Sequence, residues 1–437
     1  MMKHDAQSET APGAPGLLRR LGLLLATVGP GIFCIGYTVG TGSVTSMATA
    51  GSRFGTQLLW VLALSCLFSW VLMEAYGRYA IVTGQTAIHS FKTHLPWGKF
   101  LAITAVAGVV IAQWNALSGI LGLSSAAIYE TSRLFFPTLA ETNYQAVLAI
   151  AVVIILIMYA LLWVGRYSFF EKVLTFFVTV MAVSFLISMF VVLPSPLEIA
   201  AGLVPRIPDA PGAKLMVAAF VGTTMAAPTF VVRPLLLHGK GWTAADRGVQ
   251  SRDAIVSAVL MFIISAAIMI CAAGALYHEG KVIHRVLDLV WTLEPVAGRY
   301  AVALFMTGAL SAGLSSIFPI LMVCPLLVAD YRAGELDTRS HTFRILAAIA
   351  CLVGLTVPIL GANPILAQIA TQVANVFILP LVVAGVIYLV NRRDLMGVHR
   401  AGVMLNAGLL AALVFSCLIS YNAVQGLNQY WTTLGAG

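Results

Sequence analysis

The sequence predicts an all-α integral membrane protein with about eleven transmembrane helices, arranged as two related halves of five helices and one extra helix. Three observations predict this fold class. The 437 residues are 60% hydrophobic and only 10% charged, with a mean hydropathy of +0.94, and so few charges do not cover a soluble protein of this size. The apolar residues recur in blocks of about 20, long enough for a helix to cross about 30 Å of hydrocarbon, without the alternation of a β-barrel. Two of the blocks, five apart along the chain, are interrupted by glycine and hydroxyl residues.

The eleven predicted spans follow a polar cytoplasmic tail at residues 1–16. We expect residues 17–437 to form a single transmembrane transporter domain. Its first repeat is predicted at about 21–193, its second at about 214–390 and its extra helix at about 401–422. The spans, with boundaries good to about four residues, are 21–50, 56–83, 99–130, 144–165, 169–193, 214–238, 252–276, 297–329, 343–361, 364–390 and 401–422.

The basic residues orient the predicted helices in the membrane. With the N-terminus inside, 18 of the 25 Lys and Arg residues lie on the inner side and 7 on the outer side. Loops rich in Lys and Arg stay in the cytoplasm. The N-terminus is therefore predicted in the cytoplasm and, with an odd number of spans, the C-terminus outside, in an inner or plasma membrane. The same loops explain the net charge of +8 and the pI of about 9.3 without a nucleic-acid partner.

Several function classes are excluded by what the sequence lacks. The six cysteines show neither a CxxC pair nor a metal-ligand spacing, so a zinc site and a disulfide framework are not expected. The sequence contains no nucleophile–base arrangement, phosphate-binding loop or nucleotide motif. We therefore expect neither an enzyme nor an ATP-driven pump, and no cofactor, nucleotide or nucleic acid. The expected partners are the lipid bilayer and a small inorganic cation or small polar solute.

Spans 1 and 6 differ from the others because helix-weakening residues interrupt both near mid-membrane. Span 1 contains YTVGTGS at 37–43 and span 6 contains FVGTTMAAPT at 220–229. Gly40, Gly42 and Pro228 supply what a break needs, since glycine tolerates unusual dihedral angles and proline removes a backbone donor. Non-helical backbone at this depth persists only where it lines a cavity or is buried in protein. Two repeats that each begin with an interrupted helix are typical of inverted-repeat secondary transporters, with the substrate site at the breaks. The alternative is a pair of glycine-rich packing surfaces.

Five short stretches resemble the Nramp family of divalent-metal transporters. They are GPG at 29–31, AGSRFGTQLLWVL at 50–62, IVTG at 81–84, LSAGLSS at 310–316 and RRDLMG at 392–397, in register across nearly the whole chain. The resemblance implies the LeuT-type fold, with a 5+5 inverted repeat, discontinuous helices 1 and 6 and an eleventh helix. It also implies divalent-metal transport.

The sequence departs from that family where the family binds its metal. In span 1 the family carries Asp-Pro-Gly-Asn, and here residues 40–43 read GTGS. In span 6 the family carries Met-Pro-His, which matches either 226–228 or 227–229 here. Neither alignment supplies a thioether, although Met225 is adjacent. The acidic residues that the family uses in span 3 for proton movement are replaced by AQWNALSG at 112–119.

The interrupted segments supply the candidate substrate- and ion-binding residues. They offer neutral oxygens from Ser43 and from backbone carbonyls near Gly40 and Thr223, which would be the ligands of a metal. Neutral oxygens bind a divalent cation weakly, because they do not replace its full hydration, and they suit a monovalent ion or a small polar solute better. The second half-helices, expected to begin at Gly42–Ser43 and Pro228–Thr229, favour anionic groups at their N-termini. The predicted binding residues are Thr38, Val39, Gly40, Thr41, Gly42, Ser43, Thr223, Thr224, Met225, Ala226 and Ala227.

Further polar residues are predicted to form the substrate pathway or its gates. Gln368, Gln372 and Asn375 are spaced four and three apart, so they share one face of span 10, which borders the central cavity in the fold that the resemblance implies. The alternative for this face is a ladder of hydrogen bonds between helices. The other predicted pathway residues are Gln113, Asn115, Pro228, Thr229 and Arg233.

Arg233 lies five residues after Pro228, where the family has a second span 6 histidine. A charge at this depth is functional or paired. One interpretation is a fixed positive charge in the inner vestibule, which would disfavour cation exit and replace a proton carrier. The other is an arginine that reaches the interface or pairs with a carboxylate such as Glu74 or Asp330. Glu74 is also four residues before Arg78 and is predicted to pair with it.

The sequence supports three hypotheses for function. The first is an Nramp-related secondary transporter that moves a small cation, divalent metal above all, by alternating access. Its selectivity for transition metals is expected to be weakened, and its proton coupling is in doubt. The second is a transporter of a small polar or amino-acid-like solute on the same fold. The third is a non-transporting membrane sensor or scaffold.

Overall fold

The computed structural model describes residues 29–136, 138–140, 143–164, 167–283 and 294–435, and the regular secondary structure of these residues is helical. Ten helices in the described part are long and apolar enough to cross a membrane. The first predicted span is additional to these ten, and its described part consists of helices of 8 and 14 residues. Its start and the tail at 1–16 lie outside the described residues. The prediction of an all-α fold with about eleven spans is confirmed.

The first half of the chain begins with the broken helix. Asn143 caps the helix that begins at Tyr144. Its side chain accepts the Ala146 N–H, as expected for an Asn at a helix start. The helices are α1 (Gly31–Thr38), α2 (Thr41–Phe54), α3 (Leu59–Thr83), α4 (Ala87–His94), α5 (Gly98–Phe135), α6 (Tyr144–Leu162), α7 (Tyr167–Val191) and the short α8 (Pro196–Ala201).

The second half of the chain begins with another broken helix, now at the sixth predicted span. Its helices are α9 (Ala213–Thr224), α10 (Ala227–Gly239), α11 (Arg247–Ala272), α12 (Glu294–Ala333), α13 (His341–Gly354), α14 (Thr356–Leu360), α15 (Pro364–Asn375), α16 (Leu379–Asn391), α17 (Arg393–Met396) and α18 (Val403–Gly435).

Several predicted spans differ from the observed helices. The ninth, predicted as one helix over 343–361, is divided at Leu355 into α13 and α14. The tenth span, predicted as one helix over 364–390, is interrupted at 376–378. Pro380 explains this break, because it has no N–H to donate to the carbonyl four residues earlier. The last helix continues to residue 435 instead of ending at 422, since polar residues beyond 422 end the apolar pattern without ending the helix.

Both broken helices end with similar backbone angles and restart after one extended residue. Val39 (φ −90°, ψ 51°) ends α1, and Met225 (φ −101°, ψ 44°) ends α9. Each donates its N–H to the carbonyl four residues earlier, at 2.8 Å and 2.7 Å. The next residues, Gly40 and Ala226, are extended, and a new helix begins directly after each of them. The repeat of this pattern at positions 39 and 225 agrees with the predicted internal repeat.

The broken helices lie at the centre of the helix bundle. In the most apolar stretch of α9 and α10, 94% of the residues are buried, against 28% for α6 and 22% for α18. The peripheral helices present large apolar side chains such as Val153, Phe176 and Leu418 on their outer faces. Apolar side chains on the outside of a membrane protein face lipid. Helix α12 packs on α5 and α7, and α11 packs on α2 and α3. Helix α15 packs on α5 and α9, and together these helices surround the breaks.

Candidate functional site

At the two breaks, three neutral oxygens lie within hydrogen-bond distance of one another. The Ser43 and Thr223 hydroxyls both donate to the Thr38 carbonyl, at 2.6 Å and 3.1 Å. The two hydroxyl oxygens are 3.0 Å apart. Thr38 ends α1, Ser43 lies in the first turn of α2, and Thr223 lies at the end of α9. Carbonyls at a helix C-terminus lack an intrahelical donor. Here the Thr38 carbonyl receives hydroxyl donors from both broken helices.

Thr223 also lines a small cavity of about 20 Å³ beside the first break. Such a volume admits one water molecule or one bare ion. All side chains of the lining are neutral, and the described residues contain no group of three or more His, Cys, Asp or Glu that could hold a metal. The lining consists of Tyr37, Gly40, Gly42, Gln113, Ala116, Ile120, Thr223, Ser316, Ile320, Gln372 and Asn375.

Gln372 of α15 fills the space beside the two broken helices. A Cβ atom at position 42 would lie 2.2 Å from Gln372 Nε2 and 3.3 Å from Thr223 Oγ1. A Cβ atom at position 222 would lie 1.7 Å from the Gln372 carbonyl oxygen. Gly42 and Gly222 therefore permit the close approach of α15, which no larger residue allows without displacement.

The predicted polar face of α15 is buried and forms a row of hydrogen bonds with α5. Gln113 Nε2 donates to Asn375 Oδ1 at 3.2 Å, and Asn375 Nδ2 donates to Gln372 Oε1 at 3.2 Å. Gln372 Nε2 then lies 3.5 Å from Gln368 Oε1, and Gln368 Nε2 donates to the Ala116 carbonyl at 2.7 Å. Both sequence-based interpretations of this face apply, because the interhelical ladder also forms part of the cavity wall.

The other predicted binding residues lie in the breaks without lining the cavity. The Thr224 carbonyl accepts the Ser69 hydroxyl at 2.9 Å. Met225 is only 1% exposed and is not among the residues that line the cavity. Pro228 lies in the first turn of α10, where a missing N–H costs no helical bond. The buried residues of this group are Val39, Thr41, Thr224, Met225, Ala226, Ala227, Pro228 and Thr229.

Two serines of α12 also reach the first break. The hydroxyls of Ser316 and Ser315 donate to the Gly36 carbonyl at 2.9 Å and 3.3 Å. A Cβ atom on Gly40 would lie 1.8 Å from Ser316 Oγ. These serines are not among the predicted site residues, and the signal that could have found them was their place in the LSAGLSS stretch.

Arg233 forms a buried ion pair, but its partner is neither Glu74 nor Asp330. Its Nη2 atom lies 2.7 Å from Asp253 Oδ2, and neither side chain has exposed surface. The prediction of a charge facing an open vestibule does not describe this conformation. The named partners were wrong because the true one lies on the next span, and spacing along the chain carries no information on contacts between helices. Glu74 pairs with Arg78 at 3.0 Å, as predicted.

Asp253 of α11 also holds the start of α1. Its Oδ1 atom accepts the N–H groups of Gly29 and Gly31, at 2.8 Å and 3.1 Å. A Cβ atom on Gly31 would lie 1.9 Å from Ser257 Oγ, so the GPG stretch packs closely against α11. One carboxylate thus joins α1, α10 and α11. The sequence analysis missed Asp253, although a lone acidic residue in an apolar helix is itself a signal.

Two further predictions need correction. Asn115 is exposed and donates to the Ile111 carbonyl of its own helix at 2.8 Å, whereas Gln113 is fully buried. Two residues along a helix correspond to a turn of about 200°, so Asn115 points away from the cavity. The second half-helices begin at Thr41 and Ala227, one residue before the predicted starts, because the extended residue that precedes each helix already ends the break.

Comparison with known proteins agrees with this architecture. A family model described as natural resistance-associated macrophage protein-like, or Nramp, matches residues 31–425. The chain belongs to the Nramp family. Among relatives, the "Divalent metal cation transporter MntH" of Verminephrobacter eiseniae is 24% identical over 429 residues, covering 95% of this chain and 92% of that protein. The protein of the same name from Klebsiella pneumoniae (strain 342) is 25% identical over 401 residues, covering 90% and 92%.

Solved structures support the Nramp fold. A mutant of the manganese transporter of Eremococcus coleocola matches with a TM-score of 0.70 at 15% identity, covering 93% of this chain and 87% of that one. The protein MhsT in complex with L-phenylalanine matches with a TM-score of 0.61 at 14% identity, covering 91% and 98%. The predicted LeuT-type fold with discontinuous first and sixth helices is confirmed.

Proposed function

We propose that this protein is a secondary transporter that moves a small cation across the membrane by alternating access around the two helix breaks. The observation that carries the proposal is the meeting of the two broken helices through Thr38, Ser43 and Thr223, beside a cavity whose lining side chains are all neutral. Half-helix ends and unwound carbonyls coordinate ions in inverted-repeat transporters. The names of the relatives describe divalent-metal transporters, which supports divalent metal as the substrate class and agrees with the expectation of a non-enzyme.

The proposed ion site is the oxygen cluster of Thr38, Ser43 and Thr223 with the adjoining cavity. Their oxygens are 2.6–3.1 Å apart, the spacing of neighbouring ligands around a small cation. The hydroxyl protons that now satisfy the Thr38 carbonyl would turn away when a cation takes their place. The backbone near Gly40 and the Gln372 amide lie at the same cavity and complete the proposed set.

The proposed selectivity among divalent metals is weak. Manganese and iron sites gain affinity from carboxylate, nitrogen or sulfur ligands, and the cavity lining offers none of these. Oxygens without charge compensate only part of the cost of dehydrating a divalent ion. A hydrated or partly hydrated ion would need more space than this cavity of about 20 Å³ offers, so we expect the ion to enter when the gates move.

The proposed transport does not use the proton carriers that the resemblance associates with the family. No titratable carboxylate or histidine lines the cavity. Arg233, which stands where the family has a histidine, is held by Asp253 and keeps its charge. Proton-coupled transport of the family's kind would need a titratable group close to the ion.

Two contacts would form the gates on either side of the proposed site. On one side, Asp253 joins α1 to α10 and α11 through Arg233 and the GPG backbone. On the other, Gln372 and Asn375 lie over the break of α1 and α2 and bond to Gln113 of α5. Alternating access would open one contact while the other stays closed.

We further propose the orientation and organisation that the charges indicate. The N-terminus lies in the cytoplasm and the C-terminus outside, in an inner or plasma membrane. Residues 17–437 form one transporter domain, with repeats at about 21–193 and 214–390. In this orientation the contact of Asp253 closes the cytoplasmic side.

The test is uptake into proteoliposomes that contain the purified protein. Mn²⁺, Mg²⁺, Na⁺ and a panel of amino acids are supplied outside, with internal pH followed by a trapped dye. We expect saturable uptake of Mn²⁺ and Mg²⁺ with little discrimination and no change of internal pH. The variant Gly222→Leu, which would push α15 from the break, is the inactive comparison.

Each other outcome rejects a defined part of the proposal. Acidification of the vesicle interior in step with Mn²⁺ uptake would overturn the claim on proton coupling. Saturable uptake of an amino acid without cation uptake would indicate the solute transporter of the second hypothesis. Absence of all flux, with intact ion binding, would indicate the sensor or scaffold.

A further inference from the structure

Four buried carboxamides form a chain of hydrogen bonds that begins and ends on α5. It runs from Gln113 to Asn375, Gln372 and Gln368, and finishes at the Ala116 carbonyl, with donor–acceptor distances of 3.2, 3.2, 3.5 and 2.7 Å. All four side chains are 7% exposed or less. In each link the amide nitrogen of one residue donates to the amide oxygen of the next.

The direction of this chain is fixed at its far end. The Ala116 carbonyl can only accept, so Gln368 must turn its NH₂ group toward it. The side-chain oxygen of Gln368 then accepts from the NH₂ group of Gln372. In the same way, the oxygen of Gln372 accepts from the NH₂ group of Asn375. Gln113 must therefore direct its NH₂ group at Asn375. The orientation of every amide follows from one backbone carbonyl, which removes the usual ambiguity between amide nitrogen and oxygen.

With this direction, the side-chain carbonyl oxygen of Gln113 receives no hydrogen bond from the other three carboxamides. Among the described residues it has no hydrogen-bond partner, although the side chain is fully buried. Gln113 lines the cavity beside the first break. A buried carbonyl oxygen without a partner is costly, and an occupant of the cavity relieves that cost.

We propose that Gln113 Oε1 is a ligand of the transported cation, which makes α5 a third contributor to the site beside the two broken helices. This inference rests on the proposed function. A carboxamide oxygen is a good ligand for a hard cation. The aligned amides behind it polarise one another and increase the negative charge on the terminal oxygen. The cavity of about 20 Å³ has room for one ion.

The first experiment measures Mn²⁺ and Na⁺ binding to the purified full chain by isothermal titration calorimetry. We compare the wild-type protein, Gln113→Leu and Asn115→Leu. Asn115 is a matched control, because it carries a carboxamide on the same helix but is exposed and bonded to its own helix. Gln113→Leu is expected to weaken cation binding about tenfold, the effect of losing one buried ligand. Asn115→Leu is expected to bind like the wild-type protein.

The second variant, Gln113→Glu, keeps the shape of the side chain and replaces its neutral oxygen with a carboxylate. A ligand at this position should bind Mn²⁺ at least about tenfold more tightly, with a larger gain for Mn²⁺ than for Na⁺ because of the double charge. The gain should disappear at acidic pH as the carboxylate is protonated. A residue with a purely structural role would produce no gain, so this variant remains decisive if Gln113→Leu does not fold.

The outcomes separate this inference from the function on which it rests. Unchanged Mn²⁺ and Na⁺ affinity in Gln113→Leu, or no gain in a folded Gln113→Glu, would overturn the role of Gln113 and leave the transport proposal standing. Absence of Mn²⁺ and Na⁺ binding to the wild-type protein, together with absence of their uptake, would overturn both.

Discussion

The guanidinium of Arg233 and the carboxylate of Asp253 lie 2.7 Å apart, and neither side chain reaches the surface. The second oxygen of the carboxylate accepts the N–H groups of Gly29 and Gly31 at the start of α1. Two charges are thus buried on one side of the helix breaks, where the cost of removing them from water is repaid only by close pairing. Any motion that separates α1 from α10 and α11 must break this contact.

We predict that Asp253→Asn destabilises the protein by about 3–5 kcal/mol, because it leaves the charge of Arg233 buried without a counter-charge. Thermal unfolding in detergent measures the effect. The control is Glu279→Gln, which removes an exposed ion pair with Lys281 and should change the unfolding temperature little. Equal unfolding temperatures for the two variants would show that the buried pair contributes nothing to stability.

A second prediction concerns the close contact at Gly42. Gly42→Ala places a Cβ atom 2.2 Å from Gln372 Nε2, so the amide must move and the cavity becomes smaller. Overpacking of this kind costs about 1–3 kcal/mol, and we expect Mn²⁺ binding by calorimetry to weaken about tenfold. Gly248→Ala is the matched control, since a Cβ atom there meets no atom within 4 Å. Retained affinity in a folded Gly42→Ala would contradict the assignment of the site to this break.

The third prediction restores a carboxylate to the first break. In Ser43→Asp, the new carboxylate lies beside the Thr38 carbonyl, which the Ser43 hydroxyl contacts at 2.6 Å. Repulsion between these oxygens should lower the unfolding temperature without metal, and added Mn²⁺ should raise it again by more than in the wild-type protein. Ser43→Ala should show a smaller metal-induced rise than the wild-type protein. An equal rise in all three proteins would indicate that the metal binds elsewhere.

The architecture of the breaks could be predicted from the sequence because its causes are local. The structure breaks span 1 at Val39–Gly40, within YTVGTGS, and span 6 at Met225–Ala226, shortly before Pro228 in FVGTTMAAPT. The shared face of Gln368 and Gln372 likewise follows from helical periodicity. These features need only the residues within one or two turns.

The contacts that close the site could not be predicted because they join distant parts of the chain. The link from Gln113 to Asn375 spans 262 positions, and the partner of Arg233 lies on a neighbouring helix whose rotation the sequence does not fix. Asn115 shows the same limit at short range. Its neighbour Gln113 faces the cavity, and only the packing of α5 decides which of the two amides points inward.

The fourth prediction tests the orientation in the membrane. Cysteine is introduced in separate variants at Glu279, in a segment predicted outside, and at Gly402, which precedes α18 at the end of span 11 predicted to lie inside. A membrane-impermeant maleimide applied to intact cells should label only Glu279→Cys, and Gly402→Cys should be labelled after the membrane is opened. The parent protein measures the background of the six native cysteines. The reverse labelling pattern would reject the proposed topology.

The neutrality of the cavity has an electrical consequence. Because none of its lining side chains is charged, the proposed site would move no charge of its own across the bilayer when it is empty. With a divalent cation bound, the full double charge would cross the field, which corresponds to about 4.6 kcal/mol per 100 mV at about 2.3 kcal/mol for each charge. The membrane voltage would therefore drive the loaded step and leave the return step unaffected. A cell that is negative inside would accumulate the cation in this way without a second ion.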